Sequence, residues 1–112
     1  MELRTKLLRL RQKAGGVISD KQALLRLMID SVPNFLVLSR HALLVSGFAA
    51  SLQKREIARE LAKMGADSSP FDTLLDLREQ KKKAGEVDPE ALFANYLRQI
   101  ETVVAHVDRL EK

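Results

Sequence analysis

The sequence predicts an all-α protein, a compact bundle of five to six helices built around a central apolar helix. Three observations predict this. Between Ser31 and Ala50, apolar residues (Val32, Phe35, Leu36, Val37, Leu38, Ala42, Leu43, Leu44, Val45) cover most of the helical circumference, and a helix apolar nearly all round is expected to be surrounded by others. Near the C-terminus, Phe93, Ile100 and Val107 lie seven apart, with Tyr96, Val103 and Leu110 three residues after each. Leu97 and Val104 widen that stripe, as in the packed helices of bundles. Nowhere does the chain alternate apolar and polar residues over a strand length or carry an Asn-Gly hairpin signal. Aromatic residues make up 4% of the chain, so the core is expected to be mostly Leu, Val, Ile and Ala, which suits helices.

The elements follow in order. Leu3, Leu7, Leu10 and Ala14 repeat at three and four, a helical stripe, and Gly15-Gly16 is expected to end the first helix with a left-handed cap. Ser19-Asp20-Lys21-Gln22 matches a capping box opening the second helix. Ser31-Val32-Pro33 predicts a break or sharp kink, because proline removes a hydrogen bond and crowds the preceding turn. Ser31 then caps the central helix, which ends near Ser46-Gly47. One continuous kinked helix from Asp20 to Ser46 is the alternative. Phe48–Leu52 is a short apolar connection. Gln53–Met64 is amphipathic, with Ile57, Ala58, Leu61 and Met64 inward and Gly65 as the stop. Ser69 as N-cap with Pro70 at the first position starts another helix, expected to run to Lys81-Lys82-Lys83 and Gly85. Asp88-Pro89 starts the last and longest helix.

The chain has 112 residues, which fits a single helical domain spanning 1–112, and a formal net charge of +4. That excess permits a nucleic-acid or acidic partner without requiring one. With no cysteine there is no disulfide framework and no thiolate metal site. The charged N-terminal stretch carries no secretory signal pattern. The central apolar run is short for a membrane span, with Arg40 and His41 near its middle. A cytoplasmic protein with no membrane partner is expected.

No Walker or dinucleotide loop is present. His41 and His106 are the two histidines, and neither belongs to a spacing that sets two metal ligands on one helical face. His106 reads as a boundary residue of the bundle. Arg98 and His106 are eight apart, outside the shorter Arg-to-His spacing of some helical nuclease domains. No catalytic residue, metal ligand or cofactor is assigned. Arg40 is a cation in a helix expected to be buried, and needs either a carboxylate or a ligand anion. Arg40 and His41 are therefore candidate contacts for a ligand or partner. Arg4, Arg9, Arg11 and Lys13 on the first helix are candidates for a nucleic-acid or domain contact, although no aromatic residue is interleaved for base stacking.

Several stretches, K-L-L-R-L-R-Q (Lys6–Gln12), S-V-P-N-F-L-V-L-S-R-H-A-L-L (Ser31–Leu44), and F-D-T-L-L-D-L-R-E (Phe71–Glu79) with L-F-A-N-Y-L-R-Q-I-E (Leu92–Glu101), resemble the helical C-terminal region of bacterial nucleotidyltransferase-like proteins of the polymerase-β superfamily. The resemblance covers nearly the whole chain and rests on apolar helix patterns. In that family a catalytic domain with a Gly-Ser motif and paired aspartates precedes the helical domain. No Gly-Ser element followed by Asp-x-Asp occurs in these 112 residues, so no catalytic residue carries over. The resemblance implies a non-catalytic accessory domain. Its expected partner is a catalytic domain of the same or another chain, or a second copy in a homodimer. A nucleic-acid-binding or regulatory protein using the basic first helix is the alternative reading, and a small helical enzyme the least supported.

Overall fold

The computed structural model describes residues 2–110. They form five α-helices and two short 3-10 turns, and no strand occurs among them. The helices are α1 (Glu2–Gly15), α2 (Lys21–Val45), α3 (Lys54–Glu60), α4 (Ser69–Arg78) and α5 (Pro89–Leu110). Leu61–Met64 and Ala84–Glu86 are the 3-10 turns. The predicted all-α bundle is the observed architecture, and α2 packs against each of the other four helices.

At Pro33 the alternative of one continuous helix holds in place of a break: α2 runs from Lys21 to Val45. Pro33 leaves the carbonyl of Ile29 without its helical donor. The Arg78 guanidinium of α4 donates to that oxygen at 3.4 Å. Val32 and Phe35 on either side of the proline are buried, so packing holds the two halves in one helix. The cap is also one residue later than expected. Asp20, not Ser19, accepts from the Ala23 N–H at 3.1 Å.

Three helix ends close with the same 6→1 hydrogen bond. Phe48 N–H donates to Leu43, Ala66 N–H to Leu61, and Lys81 N–H to Asp76. The residue before each donor has positive φ: Gly47 at 86°, Gly65 at 84° and Gln80 at 61°. Glycine enters that region without steric cost, whereas Gln80 does not. The α4 helix therefore stops at Arg78, short of the lysine run where its end was expected. Gly15-Gly16 take no left-handed conformation. There α1 unwinds through i→i+3 bonds, Gly16 N–H to Lys13 and Val17 N–H to Ala14, which need no positive φ. At the start of α4, Ser69 lies inside the helix and Ser68 precedes it, placing Pro70 second. Asp67 takes the capping role by accepting from the Ser69 N–H at 3.1 Å and its hydroxyl at 2.8 Å. Those two bonds hold the Asp67 carboxyl below the usual carboxylate range. Asp88 caps α5 as expected, accepting from Glu90 N–H at 3.1 Å.

The buried side chains form one cluster drawn from every α-helix. At its centre is Tyr96, fully buried, with its ring edge-on to Phe35 (5.9 Å, 84°) and Phe71 (5.6 Å, 73°). The Ser31 hydroxyl donates to the Met28 carbonyl at 2.8 Å. The Tyr96 hydroxyl is therefore the donor in its own 2.8 Å contact with Ser31. Burial pushes the Tyr96 phenol above its ordinary range, and the bond to Ser31 offsets part of that rise. Ser31 thus serves mid-helix as the phenol's acceptor instead of capping.

The molecule measures 39 × 28 × 18 Å along its principal axes. Eighteen ångströms is about two helix diameters, so the bundle is two layers thick. In two layers no helix has neighbours on all sides. The expectation that the central helix is wholly surrounded is corrected on that ground: Val37, Leu44 and Val45 of α2 are 58%, 45% and 55% exposed.

Candidate functional site

The uncovered side of α2 is the first candidate. Val37, His41, Leu44 and Val45 fall at i, i+4, i+7 and i+8, one helical face. All four are exposed, and Leu38 beside them is half-buried. A hollow of about 260 Å³ opens next to this face, lined by Glu2 and Leu3 of α1, Leu38, His41, Ala42 and Val45 of α2, and Val107 of α5. Its walls are mostly apolar, with His41 and Glu2 at the rim. The face is therefore apolar with one titratable donor–acceptor, a surface suited to packing rather than to bond-making.

Arg40 does not share this role. It is half-buried, and its Nε donates to the Ser51 carbonyl at 3.0 Å. The expected surface carboxylate is not its partner: Arg40 makes no ion pair among the described residues. A main-chain oxygen takes its Nε–H. The same Ser51 donates its N–H to Glu60 at 3.0 Å and its hydroxyl to Glu56 at 2.6 Å, and accepts the Gln53 N–H at 3.0 Å. Arg40 and Glu60 thus grip one residue of the α2–α3 connection from its two peptide sides. Arg40 and His41, adjacent in sequence, lie in different surroundings.

The four cations singled out on α1 are separated too. Arg4 pairs with Asp108 and Arg11 with Glu101, both on α5. Four and eleven are seven apart, as are 101 and 108, and the crossed order makes α1 and α5 antiparallel. Arg9 and Lys13 lie on the other flank of α1, beside α2, together with Lys6. These three make no ion pair among the described residues. Lys6 gave no separate signal in the sequence. Only the side of α1 that each cation occupies distinguishes it from Arg4 and Arg11.

His106 is half-buried at the bundle edge, its ring 6.4 Å from that of Phe48. Lys63 stands over the other part of this small cluster, its Nζ 5.9 Å from the Phe48 centroid. No group of three His, Asp or Glu side chains among the described residues could hold a metal ion. No helix among them is long and apolar enough to cross a membrane. Two polar features were invisible in the sequence pattern. Gln99, 8% exposed, occupies a core-facing position of α5. It accepts the Asp67 N–H at 2.8 Å and donates to Asn95 at 2.9 Å. Arg55 pairs with both Asp76 (2.6 Å) and Glu79, which ties α3 to α4. These carboxylates raise the guanidinium pKa above its already high value.

Compared with family models, curated proteins and solved structures, the chain matches none.

Proposed function

We propose that this chain is a non-catalytic helical accessory domain that packs on the catalytic domain of a nucleotidyltransferase-like protein through the outer face of α2. The observation that carries the reading is the exposed apolar face of Val37, Leu44 and Val45 with the hollow beside it. Exposed apolar surface gathered on one face marks an interaction site more often than isolated exposed residues do. The hollow accepts one apolar side chain of a partner, and His41 at its rim supplies a hydrogen bond. Two further points support the reading. Ser31–Leu44, the longest stretch in the family resemblance, contains most of this face. The polar side chains Arg40, Gln99 and Arg55 are engaged in holding the fold.

The test combines the reading frame with binding. A nucleotidyltransferase-like domain encoded in the same or a neighbouring reading frame is co-expressed with this chain, and the complex is sized by light scattering. Val45→Asp and Leu44→Asp are expected to abolish the complex without unfolding the chain. Absence of such a coding region would sink the choice of partner. Self-association lost in Val45→Asp would instead make the face a homodimer contact.

Nucleic-acid binding through α1 is the competing reading. It retains Arg9 and Lys13, but Arg4 and Arg11 are engaged by α5 carboxylates, so the basic helix does not offer one continuous charged face.

A further inference from the structure

We infer that the groove between α1 and the N-terminal half of α2 binds a small molecule carrying a diphosphate or similar linked phosphoryl groups. The groove lies between the helices lined on one side by Lys6, Arg9 and Lys13 and on the other by Asp30, Ser31 and Asn34. Lys6, Arg9 and Lys13 fall at i, i+3 and i+7, so they share one face of α1.

Their lack of an ion pair among the described residues separates these cations from Arg4 and Arg11. Arg4 and Arg11, on the α5 side, each have a carboxylate partner. On the α2 side three cations face a groove with a single carboxylate, Asp30, and none of them is paired with it. An anion entering there meets charges that no described carboxylate has neutralised, between helix walls that exclude part of the solvent and so reduce screening. The Asn34 amide adds a neutral donor. The Ser31 hydroxyl hydrogen is committed to Met28 and cannot add another.

Size and spacing narrow the ligand. The groove measures about 170 Å³, below the roughly 300–1,000 Å³ of pockets that enclose a drug-sized molecule. It therefore takes a head group and leaves the remainder outside. The cations spread along about 10 Å of helix at ~1.5 Å per residue, which matches linked phosphoryl groups better than one small ion. A second, more open hollow of about 430 Å³ continues the groove and shares Lys13, Leu27 and Asp30 with it. Val17, Ala23 and Leu27 give that extension an apolar wall, and Arg26 a further cation. The body of an organic diphosphate lies there, with Asp30 at the junction to accept from a ligand hydroxyl or amine.

Calorimetric titration and amide chemical-shift mapping of the whole chain with pyrophosphate, ADP and sulfate test this. Saturable one-to-one binding of pyrophosphate and ADP is expected, weakening with salt, with shifts confined to α1 and the first half of α2. Lys6→Gln and Arg9→Gln each weaken it about tenfold, the size of one lost charged hydrogen bond. Neither residue belongs to the buried core, and an unchanged melting temperature checks that each variant is folded. Asp30→Asn tightens pyrophosphate and not ADP. The inference is overturned by no saturable binding, or by sulfate binding as tightly as pyrophosphate. It is equally overturned if Arg4→Gln or Arg11→Gln weakens binding as much as Arg9→Gln, or if a generic oligonucleotide binds and both diphosphates do not.

Discussion

The Arg78 guanidinium of α4 reaches the carbonyl of Ile29 in α2, the oxygen that Pro33 deprives of its helical hydrogen bond. A defect in one helix is met by a donor from another. Restoring the helical N–H with Pro33→Ala is expected to stabilise the protein by about 1–2 kcal/mol, the helix penalty of proline less the unfolded-state freedom that alanine returns. Arg78→Ala should cost up to about 1 kcal/mol in the parent chain and close to nothing when combined with Pro33→Ala. Denaturant melts of the four chains in this cycle measure the coupling. Additive effects would show that the contact does not compensate the proline.

Tyr96 makes stability sensitive to alkali. Its phenol is buried, and its pKa is raised in the folded state, so the native protein holds the proton more tightly than the unfolded chain. The stabilisation is complete below the ordinary tyrosine value of about 10. Above that pH stability should fall by up to about 1.4 kcal/mol per pH unit from this group. Tyr96→Phe should lower stability near neutrality by about 1 kcal/mol, for the lost bond to Ser31, and flatten the alkaline slope. An unchanged slope in urea melts between neutral and alkaline pH would rule out this assignment.

Arg40→Met keeps the aliphatic stem and removes the donor to Ser51. A loss of about 1–2 kcal/mol is expected, because the contact is charged and half-buried. Amide exchange should quicken in the 46–53 connection. Partner binding through the α2 face should survive, since Arg40 contributes to the fold and His41 to the surface. Lost binding with unchanged stability would reverse those roles.

Gln80 occupies a left-handed conformation at the end of α4. Gln80→Gly relieves that backbone and is expected to raise stability by up to about 1 kcal/mol. A lower melting temperature would mean that the side chain contributes more than its backbone costs.

The heptad of α5 and the stripe of α1 were readable because burial follows helical period directly: Leu3, Leu7, Leu10, Tyr96, Ile100, Val103 and Val107 are all buried. Leu110, the last of the α5 pattern, is half exposed at the helix end. The local cost of Pro33 does not show in the sequence what its neighbours do to offset it. A donor from α4 and a packed core are tertiary facts. The exposure of the α2 face is hidden too, since apolar content says how much surface a helix offers and not how many helices reach it. The division of the α1 cations depended on which acidic residues α5 brings alongside, and the Asp108 and Glu101 partners lie at the far end of the chain. Only the antiparallel pairing of α1 and α5 connects them.

The placement of α2 also determines how the molecule comes apart. This helix spans most of the 39 Å length, and every other helix rests on it. Releasing any one of them strips apolar cover from a shared spine, so partial opening uncovers core in proportion to what leaves. No piece is free to open cheaply beyond the helix ends and the loop tips. Native-state hydrogen exchange should therefore divide into two populations: frayed amides at the element ends, and an interior set in α2 and α5 that exchanges only when the whole molecule unfolds.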